Sequence, residues 1–208
     1  LPAMSRWMKE HDYPFTFTAQ TSINLADDPK LLSMMIETGF NSTFIGIETP
    51  DKTSLNACNK VQNKNRDLLH SVKKIQNAGM QVSGGFIVGF DSDNSTIFQR
   101  QIDFIQQSGI VSAMVGLLNA PRNTKLHKQL EAENRLTTEA TGNNTDFSMN
   151  FIPKMNHTEL IEGYEKIIHS IYSVRPYYKR LRQSLLNYKG SHRRRTKINF
   201  FLLKGLLK

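Results

Sequence analysis

Four apolar runs in this 208-residue chain are each followed by a short polar stretch, and those stretches hold the side chains best suited to chemistry. Gln20, Thr21, Ser22 and Asn24 follow "YPFTFTA". Glu48 and "TPD" follow "FIGI". Gly89 and "DSD" follow "GGFIV", and Asn119 with "APRNT" follows "AMVGLL". None of these tips carries a histidine or cysteine, so the set suits hydrogen bonding to a polar ligand and offers no evident nucleophile. Glu48 is the sharpest of them: a carboxylate there can accept from a ribose hydroxyl pair or from an amine. The alternative is an acid that caps or ion-pairs the next helix. Ser22 could equally cap a helix starting near Asp27.

The stretch "GGFIVGF" reads as a strand interrupted by Gly84, Gly85 and Gly89. Glycine in a strand costs roughly 0.5–1 kcal/mol against alanine, which a chain tolerates where something approaches its backbone. The pattern is G-G-x-x-x-G, which matches neither G-x-G-x-x-G nor G-x-x-x-x-G-K-[ST]. That argues against a nicotinamide or nucleoside-triphosphate site. The alternation at 85, 87 and 89 instead leaves one side bare, so that a flat ring could lie against it. Metal readings fail as well: the six histidines never pair at i+2, i+3 or i+4, and Cys58 is the single cysteine. Cys58 reads as a small packing residue, and the eight methionines as helix-face core.

The elements that position these tips repeat a pattern. An amphipathic helix ends in a glycine and a strand follows at once, at Gly39, Gly79 and Gly109. Leu31, Leu32, Met35 and Ile36 share a helix face, as do Leu68, Leu69, Val72 and Ile75, and Ile97, Ile102 and Ile105 with Phe98 and Phe104 nearby. "TFIGI", "GFIVGF" and "AMVGLL" are runs without alternation, which implies strands buried on both faces in a parallel sheet. With "YPFTFTAQTS" as a first strand and "TKLHKQLEAENRL" as a last helix, four βα units run from about residue 14 to 136. They form half of a barrel or a small doubly wound sheet, and in either case ligands gather at the carboxyl ends of the strands.

Three regions result: an α/β unit over 1–136, a polar connection over 137–156, and a helical basic region over 157–208. Two helices are expected in the last, "HTELIEGYEKIIHSIY" and "RPYYKRLRQSLLNYK", with Pro176 in the first turn of the second. Net charge is +9, unevenly spread: residues 166–208 hold 12 of the 27 Lys+Arg and none of the 18 acids. Such a region could meet nucleic acid, an anionic membrane or an acidic partner, or be a solvated helix face. Its tyrosines fit helix packing as readily as base stacking, so nucleic acid is not the expected partner. No run reaches the roughly 18–20 apolar residues that span a bilayer, and one cysteine without a signal peptide suits the cytoplasm. "FFLLKGLL" calls for something to bury it.

Taken together, "SINLADD", "FIGIETPD", "NKNRDLLHSVKKIQNAGMQVSGGFIVGFDSD" and "IFQRQIDFIQQSGIVSAMVGLLNAP" resemble the later half of a radical S-adenosylmethionine barrel. The likeness is to the cobalamin-binding subgroup with a helical C-terminal domain, and it covers roughly residues 10 to 185. It implies a partial (β/α) barrel of the TIM-like kind that binds S-adenosylmethionine at its strand tips, beside a [4Fe–4S] cluster that reduces the sulfonium to release a 5′-deoxyadenosyl radical. On that likeness Gly85, Ile87 and Gly89 lie against the adenine, while Glu48, with Ser22 and Gln20, contacts the ribose and methionyl parts. Small metabolites or lipids are the substrates implied.

The chain departs from the family's pattern at points that bear on activity. C-x-x-x-C-x-x-C is absent, and thiolates are what hold such a cluster. A cobalamin motif with its ligating histidine is absent too, Gln20 stands where many relatives have glutamate, and "APRNT" replaces "LPGT". With Leu1 as the first residue, the expectation is a fragment whose preceding half-barrel comes from the same polypeptide or a separate chain. The cluster, and cobalamin if used, would have their ligands there. Alone, the chain should expose an apolar sheet edge and run no radical chemistry. The other reading is a non-catalytic module that binds an adenosyl group or nucleotide, or a subunit of a larger complex.

Overall fold

The computed structural model describes residues 1–57, 60–140, 142 and 147–189. Cys58 and the tail beyond 189 lie outside them, and with them the readings made of Cys58 and "FFLLKGLL". The order is α1 (Pro2–Glu10), β1 (Phe17–Thr21), α2 (Pro29–Thr38), β2 (Phe40–Glu48), α3 (Lys52–Ala57), α4 (Leu68–Asn77), β3 (Gln81–Val88), α5 (Thr96–Ser108), β4 (Ala113–Leu117), α6 (Lys125–Ala132), α7 (His157–Tyr172) and α8 (Val174–Asn187). Single 3-10 turns occupy Ile23–Asp27 and Val61–Asn63. The four expected βα units are present. α1 and α3 are additions that the helix-glycine-strand pattern does not announce.

The four strands lie in the order β1-β2-β3-β4, all parallel. No reversal of strand order occurs among them, as a doubly wound sheet would require. Right-handed crossovers then carry the connecting helices to one face, and burial follows that geometry. Ile45, Ile47, Val82, Phe86, Val88, Ala113 and Val115 are sealed beneath helices, whereas Gln20, Phe44, Gly46, Gly85, Ile87 and Gly116 are half-buried or exposed on the other side. Met114, on that open face, is 56% exposed. The expectation of strands buried on both faces is therefore corrected: half of each apolar run lines an open surface.

Gly39, Gly79 and Gly109 take φ of 121°, 103° and 72° after α2, α4 and α5, the conformation the sequence pattern asks of them. Most of the expected helix faces are buried, with Leu32, Val72, Ile75, Ile97 and Ile105 in one core. Leu31 departs from expectation and is exposed in the first turn of α2.

α7 belongs to the same core through Leu160, Tyr164, Ile167 and Ile171. Gly163 lets it press on α5: a Cβ there would stand 2.3 Å from the Phe98 ring. The helix also finishes the sheet. Parallel pairing leaves alternate backbone groups of β4 facing away from β3, and tyrosines take them up. Tyr164 donates to the Val115 carbonyl at 3.2 Å, and Tyr172 donates to the Ala113 carbonyl at 2.8 Å while accepting from the Ala113 N–H at 3.2 Å. Three of the outward backbone groups of β4 are thereby partnered by side chains of α7. Pro176 lies in the first turn of α8, as expected.

Candidate functional site

The site begins with a bulge. β2 and β3 pair regularly up to Gly46 and Gly85, then the register shifts so that Glu48 faces Phe86. Two carbonyls of β2, Gly46 and Ile47, accept from the buried Asn63 Nδ2 at 3.1 and 2.9 Å. The chain emerges from the bulge with Glu48 at φ 66°, the left-handed region that non-glycine residues enter at a cost of order 1–2 kcal/mol. Such strain persists only where surrounding contacts over-determine it, and it concentrates at functional positions. Here the contacts are those of the 60–63 turn. The same turn delivers Lys60, whose Nζ stands 2.7 Å from Glu48 Oε1.

This ion pair lies over a bare patch. Gly46 and Gly85 are side by side in the register, both on the open face. A Cβ on Gly46 would come within 2.5 Å of Glu48 Oε1, so the carboxylate rests on the strand itself. A Cβ on Gly85 would meet Phe44 Cζ at 2.9 Å, so the space freed by this glycine goes to an aromatic ring from the neighbouring strand. The result is a cleft of about 350 Å³ floored by Phe44, Gly46, Gly85, Ile87 and Gly116 and walled by Gln20, Glu48, Lys60 and Asn119. It pairs a flat apolar surface with a carboxylate at one end, the makings of a site for a planar, polar-edged ligand.

Of the six residues singled out from the sequence, Gln20, Glu48, Gly85 and Ile87 line this cleft together. Ser22 and Gly89 are not in its lining. Ser22 accepts from Asn24 N–H at 3.3 Å and heads the 23–27 turn, while Asp28 caps α2 through Leu31 N–H at 2.8 Å. Gly89, at φ 101°, turns the chain away after β3 beneath Met149 and Leu160. Its N–H donates to Asp93 Oδ2 at 2.9 Å.

The "DSD" and "TPD" tips turn out to be braces. Asp93 accepts from the Gly89 and Phe90 N–H groups and, at 2.8 Å, from Ser54 Oγ. Ser54 is tied to Asp51, and Asp51 accepts from Arg100 at 2.8 Å. Burial pushes the Asp93 carboxyl above its ordinary range. Burial also acts upward on Asp51, but the Ser54 N–H and Arg100 outweigh it and hold that carboxyl below the usual range. Asp91 takes both ends of the Arg135 guanidinium at 2.7 and 2.6 Å, which holds its carboxyl low. At the β4 tip, Asn150 mimics a neighbouring strand, accepting from Ala120 N–H at 2.8 Å and donating to its carbonyl at 2.9 Å.

Sequence reasoning did not find Phe44, Gly46, Lys60, Asn63 or Gly116. Gly46 carried a signal, since it precedes Glu48 by two and so shares its side of the strand. Lys60 and Asn63 carried none, because a turn twelve to fifteen residues downstream has no fixed address on the sheet. A larger hollow of about 500 Å³ lies between α6 and residues 136–139, lined by Arg122, His127, Lys128 and Glu131, and shares no lining residue with the cleft.

Methyltransferases stand among the known proteins this chain resembles. Residues 124–207 match a domain of unknown function, DUF4070. The chain is 38% identical over 181 residues to an uncharacterized methyltransferase of Synechocystis sp., covering 86% of this chain and 34% of that protein. It is 35% identical over 136 residues to the hopanoid C-2 methylase of Rhodopseudomonas palustris (65% of this chain, 26% of that protein). To the bacteriochlorophyllide d C-8(2)-methyltransferase of Chlorobaculum tepidum it is 22% identical over 133 residues (64% and 29%). The chain thus spans about a third or less of the length of each of these relatives.

Proposed function

We propose that this chain is the S-adenosylmethionine-binding later half of a radical S-adenosylmethionine barrel whose reaction is methyl transfer to a small apolar metabolite or lipid. The observation that carries the reading is Glu48, turned by the bulge over the open face of the sheet in one cleft with Gln20, Gly85 and Ile87. The three methyltransferase relatives support the reaction class.

The residues present fit an adenosyl group. Phe44, Ile87 and the peptide planes of Gly46 and Gly85 offer a flat apolar floor for a purine. Glu48 accepts from the ribose hydroxyls with the oxygen that Lys60 leaves free, and Gln20 reaches the cleft from β1. Ser22 and Gly89 act one step back, as the turn cap and the strand terminus. When bound, S-adenosylmethionine supplies the sulfonium that is the source of methyl and radical chemistry. The chain does not fit the [4Fe–4S] cluster: Cys58 is its single cysteine, and among the described residues no three His, Cys, Asp or Glu could hold a metal. Those ligands, and cobalamin's, belong to the preceding half in this reading. That half would join at β1, which among the described residues has a strand on one side alone. Beside β1 stand the exposed Trp7 and Phe15, stacked at 6.1 Å.

The test is calorimetric titration with S-adenosylmethionine and with adenosine. Saturable binding by both, weakened about tenfold or more in Glu48→Gln, is expected, since a charge-assisted hydrogen bond contributes about 1.5–3 kcal/mol. No saturable heat at millimolar ligand overturns it. The second reading, a non-catalytic adenosyl-binding subunit, is favoured by the lone cysteine. An in-frame C-x-x-x-C-x-x-C in the coding sequence upstream of Leu1 decides for the enzyme, and its absence decides for the subunit.

A further inference from the structure

α8 packs with its polar side inward. Arg180, fully buried, donates to the Ile171 carbonyl at 2.6 Å and the Val111 carbonyl at 3.0 Å, with the Tyr172 and Tyr177 rings against its guanidinium. Gln183 donates to Asn187, and Asn187 to Gln76 of α4 at 2.7 Å. Ser184, Gln183 and Asn187 close on Gly109. The apolar side chains point the other way: Val174 is 72% exposed, Tyr178 63%, Leu185 67% and Leu186 62%. A globular helix normally does the reverse. An apolar stripe left in water beside an inward polar one marks a surface that meets something else.

The charge pattern says what. At 100° per residue along α8, Val174, Tyr178 and Leu185 form one stripe, and Arg175, Lys179 and Arg182 form the stripe beside it, with Leu186 among these cations. All seven are exposed. No acid occurs anywhere in 166–208, so a second copy of the helix, or the 190–208 segment itself, would set cation against cation. A nucleic acid would accept the cations but would gain little from Val174, Leu185 and Leu186, which cannot stack as aromatics do. An anionic bilayer satisfies both stripes together: aliphatic and tyrosine side chains enter the boundary of the acyl region while Lys and Arg stay among the headgroups. At about 21 Å long, α8 is too short to cross the hydrocarbon layer, and no helix of the described residues is long and apolar enough to do so.

We propose that the outward face of α8 is a membrane-docking surface that lays the helix flat on an anionic lipid bilayer. It stands apart from the cleft, to which α8 contributes no residue, so a failure of nucleoside binding leaves it untouched.

Flotation with vesicles tests it, using phosphatidylcholine alone and phosphatidylcholine with phosphatidylglycerol in equal parts. The full chain should float with the anionic vesicles and stay behind with the neutral ones. Two variants separate the apolar contribution from the basic one: Leu185→Ser with Leu186→Ser, and Arg175→Gln with Lys179→Gln and Arg182→Gln. All five positions are exposed, and circular dichroism confirms folding. Each basic residue near an anionic surface multiplies partitioning about fivefold, so the triple variant should lose about a hundredfold. The leucine variant should lose about tenfold or more. No flotation of the full chain overturns the proposal, as does flotation undiminished by either variant. Binding that follows the charges and ignores the leucines also overturns it. So does a dimer in sedimentation that the leucine variant converts to monomer, which would assign the face to a second copy.

Discussion

Glu48 and Lys60 close an ion pair of 2.7 Å directly above the bare backbone of Gly46, so the carboxylate that Glu48 turns into the cleft is already half engaged. The pair is a positioning device rather than a stability device. Partly exposed ion pairs contribute about 1 kcal/mol or less, whereas the left-handed backbone of Glu48 costs at least as much. What offsets that cost is Asn63, whose Nδ2 donates to the Gly46 and Ile47 carbonyls at the bulge, the second of which also accepts from the Thr49 N–H at 2.9 Å.

Asn63→Ala should therefore destabilise the fold by about 2 kcal/mol in urea titration, the scale expected for losing two hydrogen bonds at the bulge. It should also weaken S-adenosylmethionine binding although Asn63 is not in the cleft lining. Lys60→Met should leave stability within about 1 kcal/mol and change affinity through the carboxylate it frees. A Lys60→Met chain that loses as much stability as Asn63→Ala would reverse these roles.

Gly85→Ala places a methyl 2.9 Å from Phe44 Cζ, too close for both to stay. Loss of about 1–3 kcal/mol is expected from overpacking, with reduced nucleoside binding as the ring is driven into the cleft. Combining it with Phe44→Leu should recover much of the stability and little of the binding. Equal recovery of both would show that the ring is no part of the ligand's floor.

The βα order, the glycine caps and the strand tips were legible in the sequence because each rests on local chemistry: a helix face, a left-handed glycine, a run of β-branched residues. The open face was not, because Phe44, Ile87 and Met114 look like core in a one-dimensional string. Only the strand order, with α2, α4, α5 and α7 packed on one face in a single core, shows that they line a surface. Glu48 was legible as a tip residue, yet its bulge and its lysine depend on a distant turn. The "DSD" tip reads as ligand rim in the sequence for the same reason: Asp93 and Asp91 find Ser54 and Arg135, about 40 residues away, only in the fold.

Asp93 and Asp91 respond to pH in opposite senses. Burial raises the Asp93 carboxyl above its ordinary 3.8, so on raising pH through 3.8 the unfolded chain releases its proton first and stability falls until the folded group ionises too. Asp91, held low by Arg135, stabilises above 3.8 and loses that contribution as pH falls below it. Asp93→Asn should then be more stable than the parent chain at neutral pH, with the advantage shrinking as pH falls toward 3.8. Asp91→Asn should be less stable at neutral pH, with its deficit shrinking in acid. Thermal melts across pH 3 to 7 read both, and parallel curves for either variant would remove the assigned cause.

Tyr172 offers the sharpest test of how the sheet ends. Its hydroxyl both donates to and accepts from Ala113, so removing it leaves an N–H and a carbonyl of β4 unmet at once. Tyr172→Phe keeps the ring over Arg180 and deletes only the oxygen. A loss of about 1–3 kcal/mol is expected for two partly buried backbone groups, with faster amide exchange confined to β4. An unpaired strand edge also recruits other chains, so the variant should self-associate at concentrations where the parent does not. Tyr164→Phe, which frees a single carbonyl, should show a smaller version of each effect. If Tyr172→Phe matches the parent in stability and association, the tyrosines are bystanders and something else protects that edge.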